Sequence, residues 1–324
     1  MKKGLKVASN LVIFLLITGF VWFMASSVNN DNLPGYGKAA HPEEPFESMF
    51  TQIASFDLPV EINRFELHND KLFISAGEAI YIYDTQGELL KIFSVEPEVR
   101  DIAVDGELIY LLYPTSIAVY LPDGQLFHQW EACSELSDYC SFTIAGDAVF
   151  VTDAENKDIC KYTTEGNLVK FIKSPRGFII PSYSFDIDSW NDTIYCVNSG
   201  RHLIESYTLD GDFIADFGAP GSEAGSFAGC CNPVYISFAP CGSLLTSEKG
   251  NPRVSCFERS GKFKELRLNS KMLGGGAKAC EAKAMDDKLY VAVKDKISVF
   301  QCDKATASAC SGCPAACPFR IVNN

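Results

Sequence analysis

The chain has 324 residues, of which 47% are apolar, and a formal net charge of −13. That apolar share is ample for a large buried core. The acid excess argues against nucleic acid or anionic lipid headgroups as the main partner. No phosphate loop, Ser-His-Asp arrangement or paired catalytic carboxylates stand at recognisable spacing.

Residues 1–28 form a segment of their own. Lys2, Lys3 and Lys6 precede an uncharged stretch from Val7 to Val28. Positive charge ahead of an apolar run describes a secretory signal peptide or a single membrane-spanning anchor with its amino end in the cytoplasm. The stretch is just long enough to span a bilayer as a helix. The expected location is therefore the cell membrane, with the rest of the chain on the periplasmic side, or secretion if the segment is cut. Residues 29–51 are polar, carry three prolines and lack periodicity, so they read as a tether.

From there one phrase recurs six times: a β-rich run ending in Tyr or Phe, a tight turn, and a second apolar run. The landmark aromatics are Tyr83, Tyr120, Tyr162, Tyr207, Phe257 and Phe300, at intervals of 37, 42, 45, 50 and 43 residues. Repeats of this length built from short strands predict propeller blades. Unit two shows the four strands of a blade: RDIAVD, IYLLYP, IAVYL and QLFHQW. The sixth unit stops after KISVF at 296–300, while ASFDL at 54–58 has no unit to join. A strand from the amino end filling the vacant edge would remove two exposed edges together. The expected fold is all-β: a six-bladed propeller of four-stranded blades over residues 52–303, closed by its first strand.

Residues 195–261 contain Phe217-Gly218, Gly221 and Gly225, Phe227, Pro233, Gly242 and Gly250-Asn251-Pro252-Arg253, with Gly200-Arg201-His202 one blade earlier. This rhythm resembles NHL-repeat propellers, and GCCNP with TSEKG is similar to a bacterial exported subgroup of them. The resemblance covers two blades well and implies a platform for a protein or small ligand, with a minority of the family being enzymes. Fold alone is a poor guide to activity.

Thirteen cysteines in an exported chain require an account, and an odd number cannot all pair internally. Cys133 and Cys140 flank a blade-connecting loop and are the local disulfide candidate. Cys160, Cys196 and Cys256 fall inside predicted strands and read as small core residues. The tail, residues 304–324, carries Cys310, Cys313 and Cys317 followed by Pro. This spacing resembles part of the bacterial ferredoxin cluster motif, with Cys302 as a fourth candidate, and would suit an iron–sulfur cluster, zinc or disulfides.

In a four-stranded blade, the connections entering the inner strand and the loops between the second and third strands open on one face. That topology gathers Cys140, Cys230, Cys231 and Cys280 with Arg64, Arg100, Asn198, Arg201, His202, Glu248 and Lys249 at one mouth of the channel, as a candidate ligand or metal site. Three readings follow: a membrane-tethered or exported binding platform; a redox or metal component using the tail; and a metal-dependent propeller lyase or lactonase. Against the last, histidines are few, and the inner-strand acids Asp101, Asp186 and Asp188 serve equally as channel residues.

Overall fold

The structure, a computed structural model, describes residues 48–276 and 278–302. The amino-terminal segment, most of the tether and the cysteine-rich tail lie outside them. Among the described residues no helix is long and apolar enough to cross a membrane.

Among the described residues, twenty-four strands form six antiparallel sheets of four. The first strand is β1 (Phe50–Asp57). Blade 1 comprises β2 (Ile62–His68), β3 (Lys71–Ala76), β4 (Ala79–Asp84) and β5 (Leu89–Ser94). Blade 2 comprises β6 (Asp101–Asp105), β7 (Leu108–Tyr113), β8 (Ser116–Tyr120) and β9 (Leu126–Glu131). Blade 3 holds β10 (Tyr139–Ala145), β11 (Ala148–Asp153), β12 (Asp158–Thr163) and β13 (Leu168–Ile172). Blade 4 holds β14 (Ile187–Trp190), β15 (Thr193–Asn198), β16 (Leu203–Thr208) and β17 (Phe213–Phe217). Blade 5 holds β18 (Tyr235–Phe238), β19 (Leu244–Ser247), β20 (Val254–Phe257) and β21 (Phe263–Leu268). Blade 6 has only β22 (Glu281–Met285), β23 (Lys288–Val293) and β24 (Lys296–Cys302) in sequence.

Its outer strand is β1, antiparallel to β24 from Phe50 opposite Cys302 to Asp57 opposite Lys296. The expected closure is present, with β1 starting at Phe50, ahead of the ASFDL core. The repeat rule explains why this strand fits. In blades 1 to 5 the hairpin glycine between the third and fourth strands receives an apolar side chain from the outer strand of the preceding blade. Gly166 has φ +84°, and a Cβ there would stand 2.6 Å from the Trp130 ring of β9, so only glycine is accommodated. At Gly87 the neighbour is Phe56 of β1, 3.3 Å from the same construction. β1 thus meets blade 1 as β5, β9, β13 and β17 meet their successors.

Alternation of side chains along each strand feeds the gaps on either side of a blade. Six apolar clusters result, one per gap; for example, Tyr110, Leu112, Tyr139, Cys160 and Tyr162 fill the gap between blades 2 and 3. The landmark aromatics end the third strands and are buried, Tyr207 fully and Tyr83 to 9% exposure. Each contributes about 2–3 kcal/mol of burial. Cys160, Cys196 and Cys256 are buried in β12, β15 and β20, as small core residues should be.

Candidate functional site

The inner strands β2, β6, β10, β14, β18 and β22 line the channel, and polar residues at every second position face it. The upper layer takes Arg64, Asp101, Ser141, Asp186, Tyr235 and Glu281, with Asp186 just ahead of β14. Arg64 is 7% exposed and its guanidinium joins three blades. It lies 3.1 Å from Asp101 Oδ1, 2.9 Å from Asp186 Oδ1 and 3.2 Å from Glu281 Oε1, and 4.6 Å above the Tyr235 ring. Carboxylates also accept backbone amides of the next blade: Glu281 from Phe65, Asp101 from Phe142, Asp186 from Ile236. The network therefore ties blade to blade as well as closing the axis.

The Ser141 hydroxyl lies 2.6 Å from Asp101 Oδ2 and 2.8 Å from Asp186 Oδ1. A hydroxyl has one proton to give, so the two carboxyl groups compete for it. Asp101 is the group raised, because burial outweighs the pull of Arg64. Below this layer Lys283 Nζ meets Glu66 at 2.5 Å, and Asp188 accepts the Phe238 amide. Two cations, Arg64 and Lys283, face five carboxyls. Burial pushes Glu281 up to about 7 despite Arg64, and Asp188 also to about 7 despite Lys283.

Both values exceed those of an unfolded chain, so the native state binds extra protons between pH about 4 and about 7. Stability is fully present below that window and falls as pH rises through it. The expected outcome is a loss on the order of a few kcal/mol from pH 4 to 8, largely absent in Glu281→Gln/Asp188→Asn. Chemical denaturation at a series of pH values reads this directly.

Above Arg64 the channel widens into a cavity of about 280 Å³ lined by Asn63, Arg64, Arg100, Cys140, Ser141, Ser182, Tyr183, Ser184, Lys249 and their neighbours. Arg100 pairs with Asp138 at 3.5 Å, both partly exposed, a pair of low net worth that a ligand can displace. Lys249 Nζ lies 3.3 Å from the Ser184 hydroxyl and also hydrogen-bonds the Cys231 sulfur. Ser182 and Tyr183 both adopt left-handed backbone, φ 57° and 56°, and Tyr183 is 57% exposed beside the cavity. Two such non-glycine residues in succession store about 1–3 kcal/mol each, a cost that clusters at ligand clamps.

Four of the residues expected at the mouth thus border this cavity: Arg64, Arg100, Cys140 and Lys249. Arg64 stands in a different layer from Arg100, because its structural counterpart in blade 2 is Asp101. Asn198, Arg201, His202 and Glu248 are not in the lining. Asn198 is fully buried and clamps Glu205 Oε1 at 2.7 Å and the Ile179 amide at 3.0 Å. Arg201 donates to the Gly177 and Arg176 carbonyls, and His202 caps the Ser199–Arg201 turn. Glu248 is paired with Arg253. These loops open on the expected face but at a larger radius, where their polar groups fasten neighbouring connections.

Cys280 is buried behind the wall and, like Cys140, is pushed up to about 12 by desolvation. Cys230 and Cys231 have sulfurs 3.2 Å apart. Burial opposes ionisation of Cys231, but hydrogen bonds from Cys230, Lys249 and Ser182 prevail and lower it below the usual thiol value, while Cys230 is raised by its neighbour. The Cys133–Cys140 pairing is not formed. The strand alternates at Tyr139, so Cys133 packs in the gap between blades 2 and 3, while Cys140 packs in the gap between blades 3 and 4. Cys302 ends β24; Cys310, Cys313 and Cys317, with any cluster or zinc they would hold, lie outside the described residues. Sequence reasoning missed Glu66, Tyr183, Tyr235, Glu281 and Lys283; charges at alternate positions of inner strands (Arg64 and Glu66, Glu281 and Lys283) were the available signal.

No family model matches the chain, and no curated protein matches it. Solved structures do. Virginiamycin B lyase from Staphylococcus aureus is 13% identical over 78% of this chain and 99% of its own, with a TM-score of 0.57. A structural genomics protein of unknown function from Bacteroides thetaiotaomicron is 10% identical over 78% and 72%, TM-score 0.56. The Pan2 WD40 domain from Neurospora crassa is 9% identical over 79% and 97%, TM-score 0.53. At these identities the likeness shows the fold, a β-propeller, and nothing narrower.

Proposed function

We propose that this chain is an exported, NHL-like binding platform, held at the outer side of the cytoplasmic membrane by residues 1–28, whose propeller reads an acidic ligand at the channel mouth. The carrying observation is the pairing of Arg100 and Lys249 around a cavity whose floor is closed by the Arg64 network. Cations open to a cavity above a sealed, proton-rich floor favour a carboxylate or similar anion from solvent or from a partner's side chain. Tyr183, exposed on strained backbone, is placed to cover it. Lyase chemistry has less support. A catalytically inactive form of the staphylococcal lyase carries a histidine-to-alanine change, whereas here His68, His128 and His202 all lie outside the cavity lining. The redox reading rests on tail residues outside the described ones.

The test is a thermal-shift panel of citrate, succinate, phosphate, sulfate and a Glu-rich peptide against neutral isosteres, at constant ionic strength. At a hundredfold excess over Kd, a true ligand should raise Tm by roughly 5–10 °C. Arg100→Gln/Lys249→Gln should abolish the shift while leaving the unliganded Tm within about 2 °C, since exposed pairs contribute little. No shift with any anion, or a shift that survives the double substitution, would contradict the reading.

A further inference from the structure

The sulfurs of Cys133 and Cys160 lie 3.5 Å apart, in mutual contact within the apolar gap between blades 2 and 3. Cys133 belongs to the connection between β9 and β10, which is pinned by the Cys133 amide donating to Tyr139 Oη at 3.1 Å. Cys160 is fully buried in the middle of β12. Asp153 is close enough to complete a three-ligand group with the two sulfurs. Its oxygens, however, already accept the amides of Asp138, Glu155 and Asn156 and the Asn156 side chain. A divalent ion would also require two thiolates, the Cys160 one fully buried, beside Asp153 and Asp158, leaving a net negative charge in an apolar gap. A disulfide is neutral and requires only that the two sulfurs close on one another.

We propose that Cys133 and Cys160 are a disulfide site that fastens the blade 2–blade 3 connection to the third strand of blade 3, formed by exchange with a disulfide oxidant. The steps balance as ordinary exchange. The half-exposed Cys133 thiol gives up its proton and attacks one sulfur of the oxidant, breaking its S–S bond and releasing the first thiolate. Cys160 then gives up its proton, with Asp158 Oδ1 3.8 Å from its sulfur to receive it. Its thiolate attacks the Cys133 sulfur of the mixed disulfide and releases the second. Two electrons pass to the oxidant, and the two protons end on its two thiols. The cross-link would also hold Asp138, the partner of Arg100, but it stands whether or not the mouth binds an anion.

The full chain, equilibrated with oxidised glutathione, is to be alkylated with iodoacetamide in guanidinium and digested with trypsin. Mass spectrometry should then find residues 158–161, which carry Cys160, linked to residues 101–157, with fragmentation placing the bond on Cys133 and not Cys140. The linked species should vanish on reduction. The oxidised protein should melt roughly 5–10 °C above the reduced one, and that difference should shrink by the same amount in Cys133→Ser, which removes only a half-exposed sulfur. Both peptides alkylated after oxidation, a link to any other cysteine, or a retained metal ion with both thiols free would overturn the proposal.

Discussion

Arg64→Met should cost about 3–5 kcal/mol at pH 8, the range for removing one partner of a buried ionic cluster. Methionine keeps much of the side-chain bulk but leaves Asp101, Asp186 and Glu281 facing each other with no guanidinium between them. Arg64 itself is held charged: burial alone would lower its pKa, yet the three carboxylates raise it well above the usual value. With the cation gone, the acids keep protons to higher pH, so the deficit should be clearly smaller at pH 5 than at pH 8. Denaturant titrations at both values measure it. A loss below about 1 kcal/mol at pH 8 would mean that the axis is not sealed by this network.

Removing residues 1–58 should leave a chain that no longer folds as a soluble monomer. The deletion takes away the whole β1 ladder, the buried Phe50 and Leu58, and the Ser48 hydroxyl bonded to the Arg267 carbonyl at 2.8 Å. It also removes the Phe50 ring 5.2 Å beneath the Arg267 guanidinium. At about 2 kcal/mol for each large apolar side chain, plus an exposed β24 edge open to aggregation, the loss rivals the 5–15 kcal/mol by which domains of this kind are stable. A synthetic peptide of residues 48–58 added during refolding should restore a monomeric, cooperatively melting species on size exclusion. A truncated chain that melts like the parent would show that closure is dispensable.

Blade number and closure were legible because they depend on local chemistry: an aromatic ending each third strand, a glycine in the following hairpin, and one blade lacking its outer strand beside one strand lacking a blade. The mouth was legible in part. Topology says which connections share a face, which brought Arg100, Cys140 and Lys249 together. It does not encode distance from the axis, so Asn198, Arg201 and Glu248 looked equivalent although they fasten loops farther out. The central network escaped as a network because its charges stand in separate blades and meet only when six inner strands converge. Cys140 was assigned to Cys133 by proximity along the chain, when the alternation of β10 sends it to the opposite side of blade 3.

Thiol footprinting of the reduced protein tests most directly whether the mouth is where a ligand sits. Cys231 lies beside Lys249 at the rim, whereas Cys241, in the hairpin between β18 and β19, lies on the opposite face. In the presence of the anion giving the largest thermal shift, iodoacetamide labelling of Cys230 and Cys231 should slow at least several-fold, with Cys241 unchanged. Unaltered labelling at the rim under saturating anion, or protection at Cys241 instead, would contradict a binding site built on Arg100 and Lys249.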